Sequence, residues 1–557
     1  MTETPRTPTP IDTIAEAWVD TLAELEPLLA TYIGRFEFND RFADYSPAGA
    51  ERIASAARAA LADLQAATPV DDIDIVTQDD LSRDLQLLLD VHEARWHLRD
   101  LNVIASPAQD IRSAFDLMPT DSVEDWKTIA TRLKAVPAAI EGYVETLREG
   151  IAQNITPARR QVREVAAQVA RYTDDSGFFT SFVAGASIAE GDLPADLIRE
   201  LREGADVARS AYNSLGSFLT STLAPASSES DAVGRELYKL HSRRFLGATI
   251  DLDETYEWGI QELARMVAEQ EAIANEILPG ATVEEAIEFL EKDSSRKLVG
   301  TDALQKWMQQ TSDRAVEELG KTHFDIAPPI RDLECMIAPT QEGGIYYTGP
   351  TDDFSRPGRM WWSVPEGVTE FDTWRELTTV YHEGIPGHHL QIAQAVYNRG
   401  QLNSWRRLLG GTSGHAEGWA LYAERLMEQL GYLEDPADRL GMLDGQRMRA
   451  ARVVLDIGVH LGKPRPDGQG VWDADYALEF MRRNVNMPDE FVQFEVNRYL
   501  GWPGQAPSYK VGQRIWEQLR DDVAERDGED FSIKEFHKRA LDIGGVGLDT
   551  LRAAMAR

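Results

Sequence analysis

Apolar residues recur three and four positions apart through most of the chain, from residue 11 to about residue 326. This spacing predicts amphipathic helices, because one helix face repeats every 3.6 residues. The clearest predicted helices span 48–67, 79–101, 122–149 and 255–277, each with Pro, Gly, Asp or Ser at or near an end, as helix caps require. Further helices are predicted at 374–380, 414–430, 444–461, 474–483 and 510–525.

Strand signals are confined to two short runs, 344–348 and 359–364, separated by a stretch rich in Gly and Pro. They predict a β-hairpin with a long loop. The fold class is therefore mostly α, a two-lobed helical body around a cleft with one small antiparallel sheet. We predict a disordered tail over 1–10, a helical N-terminal lobe over 11–330 and a second lobe over 331–557. One continuous domain is the alternative.

Composition narrows the class of protein. Hydrophobic residues make up 43% of the 557 positions, but no run approaches the roughly 20 apolar residues that span a bilayer. The net charge of −36 is spread along the chain and repels phosphate backbones, so neither a membrane nor nucleic acid is an expected partner. The N-terminal segment lacks a secretory signal pattern and Cys335 is the one cysteine, so the expected location is the cytoplasm. The oligomeric state is left open.

Residues 382–460 hold five of the ten histidines, and Glu383, Glu417 and Glu424 lie among them: His382, His388, His389, His415 and His460. A His-Glu pair followed by another histidine, with a glutamate on the next helix, is typical of a zinc hydrolase. Two imidazoles and one carboxylate bind the metal, and the glutamate after the first histidine is free to act as a base.

Pro386 occupies the position where the second histidine of a regular zinc helix would stand. In an unbroken helix His388 would point about 120° away from His382, and His389 would lie roughly 10 Å further along the axis. Since proline removes a helical hydrogen bond, the helix must be interrupted. A bulge at Pro386 and Gly387 would bring His388 to the second-ligand position.

Three segments, 382–391, 414–424 and 502–510, resemble the bacterial domain of unknown function 885 family. That family resembles the thermostable Taq-type carboxypeptidases and thimet oligopeptidases, which are helical zinc metallopeptidases. The resemblance covers residues 340–515 well. It implies zinc, or another divalent metal, bound by His382 and His388, although two inserted residues leave His389 as an alternative ligand.

The remaining roles follow from position and from the resemblance. Glu417 is the expected third ligand, and Glu424, on the same helix face, is expected to orient a ligand histidine. Glu383 is the expected general base. The resemblance points to Tyr509 as the oxyanion donor.

Other residues have a structural interpretation beside the functional one. His415 and His460 are predicted to donate hydrogen bonds to the substrate, although His460 with Asp456 also suits a core pair. Arg447, Arg452 and Arg498 are weaker candidates for binding a substrate carboxylate. The hairpin edge suits an extended peptide, with Tyr346, Tyr347, Trp361 and Trp362 either lining the groove or packing in the core.

Together these features predict a cytoplasmic zinc-dependent metallopeptidase that hydrolyses small peptides. One alternative is a metal-dependent hydrolase of a non-peptide amide or ester. Another is a catalytically silent peptide-binding protein. The retention of Glu383 argues against the silent protein, because a binder has no need of a base.

Overall fold

The computed structural model describes residues 5–189, 191–338 and 344–557, and helices dominate it, which confirms the predicted fold class. The helices before the sheets are α1 (Pro10–Leu25), α2 (Pro27–Tyr32), α3 (Pro47–Ala66), α4 (Asp72–Glu93), α5 (Pro107–Ser113), α6 (Val123–Ala152), α7 (Arg159–Thr173), α8 (Phe178–Ala184), α9 (Ala195–Phe218), α10 (Ala224–Ala226), α11 (Arg235–Leu246), α12 (Leu252–Ile277), α13 (Val283–Glu291) and α14 (Thr301–Thr322). None of the described helices combines the length and apolarity that crossing a membrane requires.

The second half carries the helices that build the site. They are α15 (Thr373–Glu383), α16 (His388–Tyr397), α17 (Ser413–Gln429), α18 (Pro436–Leu461), α19 (Ala474–Arg482), α20 (Asp489–Gly501), α21 (Ser508–Asp527), α22 (Ile533–Asp542) and α23 (Leu548–Met555). Short 3₁₀ or π segments lie at Phe36–Phe38, Trp96–Arg99, Ala114–Asp116, Leu219–Leu223, Ser294–Arg296, Pro328–Arg331, Asn398–Gly400, Trp405–Leu409 and Gly528–Asp530.

Local capping explains where the helices begin and end. Helix α4 begins at Asp72 rather than at the predicted residue 79, because the Asp71 side chain accepts a hydrogen bond from the Asp74 backbone. The same helix ends at Glu93 rather than near 101, since Arg95 takes a left-handed conformation with φ of 56°.

The N-terminal segment differs from the predicted tail over 1–10. Residues 1–4 lie outside the described residues, but Arg6 forms ion pairs with Asp12, Asp71 and Asp74. Its backbone N–H also donates to the Gly400 carbonyl at 2.8 Å. The Pro- and Thr-rich sequence could not indicate this, because the three carboxylates are brought together only when α1 packs on α4.

The described strands form two small sheets. Strand β1 (Lys297–Val299) pairs antiparallel with β5 (Glu370–Asp372). In the other sheet β2 (Leu333–Ile337) runs parallel to β4 (Gly358–Trp362), which pairs antiparallel with β3 (Ile345–Thr348). The predicted hairpin is confirmed, but its sheet is mixed and a second sheet exists. Strands of three to five residues without clear alternation gave no sequence signal for either addition.

The largest hydrophobic core joins helices from both sides of residue 330, including Tyr238, Trp374, Trp419 and Trp516. Helix α12 lies so close to α18 that a Cβ on Gly259 would meet Val453 at 2.9 Å. Helices α6 to α9 enclose a separate core. The main core is shared across residue 330, and the predicted division into lobes there stays a prediction.

Candidate metal centre

A break between α15 and α16 separates the first two histidines of the motif. Helix α15 ends at Glu383 and α16 begins at His388, which confirms the predicted interruption around Pro386. A Cβ on Gly387 would lie 1.9 Å from the His382 carbonyl oxygen, so only glycine fits this turn. The break places the His382 and His388 rings perpendicular, with their centroids 4.8 Å apart.

Helix α17 brings a carboxylate to this pair. Glu417 Oε2 lies 3.3 Å from His382 Nε2 and 3.6 Å from His388 Nε2. Two ligands about 2.0–2.1 Å from a tetrahedral zinc ion are roughly 3.4 Å apart, so Glu417 Oε2 lies at about a ligand-to-ligand distance from each imidazole. Among the described residues no donor makes a hydrogen bond of good geometry to Glu417 Oε2. That leaves a buried anionic oxygen available for a metal.

Glu383 belongs to the same cluster. One ligand atom from each of His382, Glu383 and His388 lies within 4.8 Å of the others. Glu383 is buried at the end of α15, next in sequence to His382. The carboxylate is therefore close enough either to contact an ion or to take a proton from a water beside it.

A second carboxylate orients the first histidine. Glu424 lies two helical turns after Glu417 in α17, on the same face of that helix. Its Oε1 is 2.7 Å from His382 Nδ1. Since an ionised carboxylate only accepts, Nδ1 is the donor and Nε2 faces Glu417. This contact matches the orienting position expected for Glu424.

The electrostatics of the cluster call for a positive charge. Burial alone would lower the pKa of His382, but Glu417, Glu424 and Glu383 raise it to about 10. Burial would raise the pKa of Glu417, but the two imidazoles outweigh it and hold that pKa well below its usual value. A divalent cation would supply the charge that these carboxylates stabilise.

His389, the alternative second ligand, faces away from the cluster. Its Nε2 donates to the Ile330 carbonyl at 2.7 Å, and its Nδ1 accepts from the Tyr347 hydroxyl at 2.8 Å. Burial lowers the pKa of His389 to about 4, which keeps the ring neutral. Both ring nitrogens are therefore occupied, one by the Pro328–Arg331 segment and the other by β3, and the structure brings His388 beside His382 instead.

Tyr509 stands in the first turn of α21, opposite α17. The two helices approach so closely that a Cβ on Gly418 would lie 2.5 Å from the Gly512 backbone. Burial, and then the charge of Glu417, raise the pKa of Tyr509 to about 12. Its hydroxyl is therefore protonated at neutral pH and able to donate a hydrogen bond.

The three arginines singled out in the sequence have partners within the protein. Arg452 donates to Glu495 at 2.7 Å, Arg498 lies 3.4 Å from the same residue, and Arg447 donates to Gln270 at 3.0 Å. By contrast, Arg449 makes no carboxylate contact within 4.0 Å among the described residues. Its guanidinium lies 5.9 Å from the Tyr509 ring centroid. Sequence alone gave no reason to prefer it over its neighbours.

The two remaining candidate histidines have partners other than the predicted ligands. His415 packs against Trp516 with ring centroids 5.6 Å apart, and burial lowers its pKa to about 4. His460 is buried with Nε2 3.1 Å from the Tyr499 carbonyl and Asp456 on the same helix. That environment matches the core alternative for His460. No hydrogen bond or ion pair among the described residues joins either histidine to the predicted ligands.

Alternation along the hairpin separates its four aromatic residues. Tyr346 and Trp361 are cross-strand partners with stacked rings, and Tyr346 is exposed. Tyr347 turns towards His389, while Trp362 is buried in the core under the sheet. Only one pair is therefore placed to line a groove, since residues next to each other in a strand point to opposite faces.

Comparisons with known proteins agree with this architecture. A family model described as "Bacterial protein of unknown function (DUF885)" matches residues 27–555. A candidate lipoprotein of Colwellia psychrerythraea has a TM-score of 0.84 and 21% identity, with 98% of each chain covered. A candidate lipoprotein of unknown function from Shewanella oneidensis has a TM-score of 0.75 and 18% identity, covering 99% of this chain and 100% of that one.

A carboxypeptidase of Pyrococcus furiosus is more distant, with a TM-score of 0.34 and 11% identity over 99% of this chain and 96% of that one. That likeness is too weak to support an argument about function. The search of curated proteins gives no match. The two closer likenesses establish a shared fold.

Proposed function

The chain belongs to this family of bacterial proteins of unknown function, DUF885, and from the geometry of its histidine cluster we propose that it is a zinc-dependent metallopeptidase acting on small peptides. The observation that carries the proposal is the position of Glu417 Oε2, 3.3 and 3.6 Å from the two imidazoles. His382, His388 and Glu417 would hold the ion.

The chain's own residues supply the rest of the chemistry. Bound zinc would lower the pKa of the attacking water towards 7. Glu383 takes the proton from that water and passes it to the leaving nitrogen. The protonated hydroxyl of Tyr509 donates to the oxygen that gains negative charge. Arg449 makes no carboxylate contact within 4.0 Å among the described residues, so its guanidinium is available to a carboxylate of the substrate.

The sheet offers a place for an extended peptide. Strand β3 is an edge of the three-stranded sheet, and Tyr347 ties it to His389, next to the ligand His388. An edge strand binds a peptide through main-chain hydrogen bonds, so affinity does not depend on one particular side chain. This arrangement favours a peptide over a compact amide or ester.

Metal analysis combined with a peptide-library digestion tests the proposal. We expect one metal ion per chain in wild type, loss of it in His382→Ala, and retained metal without cleavage in Glu383→Gln. Metal without cleavage of any peptide by wild type would refute the peptidase and leave the amide or ester hydrolase or the silent binder. Hydrolysis of a non-peptide substrate, lost in Glu383→Gln, separates those two.

We keep the cytoplasm as the proposed location, because the chain has one cysteine, which is buried. Two proteins of similar fold are described as lipoproteins, which makes an envelope location the competing proposal. Fractionation of cells that express the natural gene distinguishes the two.

A further inference from the structure

A buried lysine lies three hydrogen bonds away from the proposed metal position. Lys510 is 2% exposed, and its Nζ donates to Gln446 Oε1 at 2.7 Å. Gln446 Nε2 donates to Glu424 Oε2 at 3.0 Å, and the other oxygen of Glu424 contacts His382 Nδ1 at 2.7 Å. A continuous chain of side chains therefore connects Lys510 with the first ligand.

The lysine determines which way the amide of Gln446 points. A glutamine side chain can turn its oxygen and nitrogen around, but a lysine ammonium has donors and no acceptor. Gln446 must therefore present its oxygen to Lys510 and its NH₂ group to Glu424. The carbonyl of Leu421, 3.5 Å from Gln446 Nε2, favours the same orientation.

Lys510 is itself held in one position. Besides Gln446, its ammonium contacts Gln513 Oε1 at 3.0 Å and Glu262 Oε1 at 3.0 Å, which uses all three of its donors. Glu262 in turn accepts from Nε and Nη2 of Arg265, each at 2.8 Å. A lysine that is buried, paired and fully hydrogen-bonded has one stable orientation.

We propose that Lys510 and Gln446 are positioning residues that hold Glu424 as an acceptor and thereby fix the His382 tautomer with Nε2 free for the metal. The inference rests on the proposed metal site. If Gln446 turned around, its carbonyl oxygen would face a carboxylate oxygen of Glu424, and the two would repel each other. Glu424 would then leave its 2.7 Å contact, and His382 would lose its fixed ring orientation.

The test is the affinity for Zn²⁺ and Co²⁺, measured by competition with a chelator in Gln446→Leu and in Lys510→Met combined with Glu262→Gln. The second substitution removes the carboxylate charge that Lys510 neutralises, so that Arg265 alone is not left to balance it. We expect each variant to bind the metal roughly tenfold more weakly, at the lower end of what outer-shell partners contribute. The visible absorption of bound Co²⁺ should change with them.

Gln513→Leu and Glu262→Gln are the matched controls, because the first removes one partner of Lys510, the second removes the charge of another, and both leave the path to His382 intact. We expect the metal affinity of each control to lie within about twofold of wild type, because substitutions that do not act on the site change its energy by only a few tenths of a kcal/mol. Thermal unfolding with chelator present shows which variants are folded. If Lys510→Met does not fold, Lys510→Gln replaces it, because a glutamine at 510 can offer either end to Gln446.

Combining the substitutions in one variant distinguishes a positioning role of Lys510 from a merely structural one. If Lys510 acts through Gln446, the variant that carries Gln446→Leu, Lys510→Met and Glu262→Gln binds metal no more weakly than Gln446→Leu alone. Wild-type affinity in Gln446→Leu, or losses that add, would overturn the inference. Wild type that binds metal but cleaves no peptide refutes only the peptidase, and wild type without metal refutes both proposals.

Discussion

Replacing Gly387 by alanine tests whether the break between α15 and α16 creates the metal site. The new Cβ would lie 1.9 Å from the His382 carbonyl oxygen and 2.5 Å from that of Tyr381, where Cβ contacts essentially never fall below 3.0 Å. Both neighbours are backbone atoms, so no side chain can turn aside. The backbone must move by about 1 Å, and His388 follows Gly387 directly.

A movement of this size matters more at the metal than in the fold. Metal–ligand distances vary by only about 0.2 Å, so a shift of 1 Å in His388 removes it as a ligand or strains the site. Overpacking of a tight position costs about 1–3 kcal/mol. If that cost falls on the metal site, the affinity drops by roughly 5- to 150-fold.

The assay measures Zn²⁺ affinity by chelator competition and the free energy of unfolding by urea with chelator present. Gly320→Ala is the control, because a Cβ there meets Ile326 at an ordinary 3.6 Å. We expect Gly387→Ala to lose metal affinity and Gly320→Ala to keep it. Wild-type affinity in Gly387→Ala would refute the reasoning that the glycine turn brings His388 to His382.

Three further outcomes are expected. Tyr509→Phe should lower kcat by about 10²- to 10³-fold with metal content unchanged, as expected for an oxyanion donor. A kcat equal to that of wild type in steady-state kinetics would refute that role. Tyr347→Phe should lower the free energy of unfolding in urea by about 1–3 kcal/mol, since His389 Nδ1 loses its donor, whereas the exposed Tyr346→Phe should be neutral. Burial, and then Asp110, raise the pKa of Glu26 from 4.5 to about 7, so its contribution to stability is present at low pH and is lost as pH rises across that range. Urea titrations across this pH range should show that the free energy of unfolding falls less in Glu26→Gln than in wild type. In Glu24→Gln, which replaces an exposed glutamate, it should fall as much as in wild type.

The sequence by itself determined the helical class, the hairpin and the interruption at Pro386. These features depend on interactions within a few residues: the period of a helix, the alternation of a strand, and the missing N–H of proline. Helix ends were less well predicted, as in α4, because one capping side chain or one left-handed residue decides them.

The tertiary structure decided which side chains meet. His388 and His389 are neighbours of the same residue type, and only the Ile330 carbonyl and Tyr347 draw the second away from the cluster. The ordered position of Arg6 likewise depends on carboxylates of another helix. Such choices rest on contacts between elements far apart in the chain, and local sequence patterns carry no information about those distances.

The cluster of histidines and glutamates could be recognised in the sequence because its residues lie on helices that follow one another in the chain. The side chains that hold Glu424 could not be recognised in the sequence. Gln446 and Lys510 are 22 and 86 residues beyond Glu424 and look like ordinary helix residues. Packing of α18 and α21 against α17 brings them to Glu424. The sequence therefore determined the ligand types, and the packing of separate helices decided how they are held.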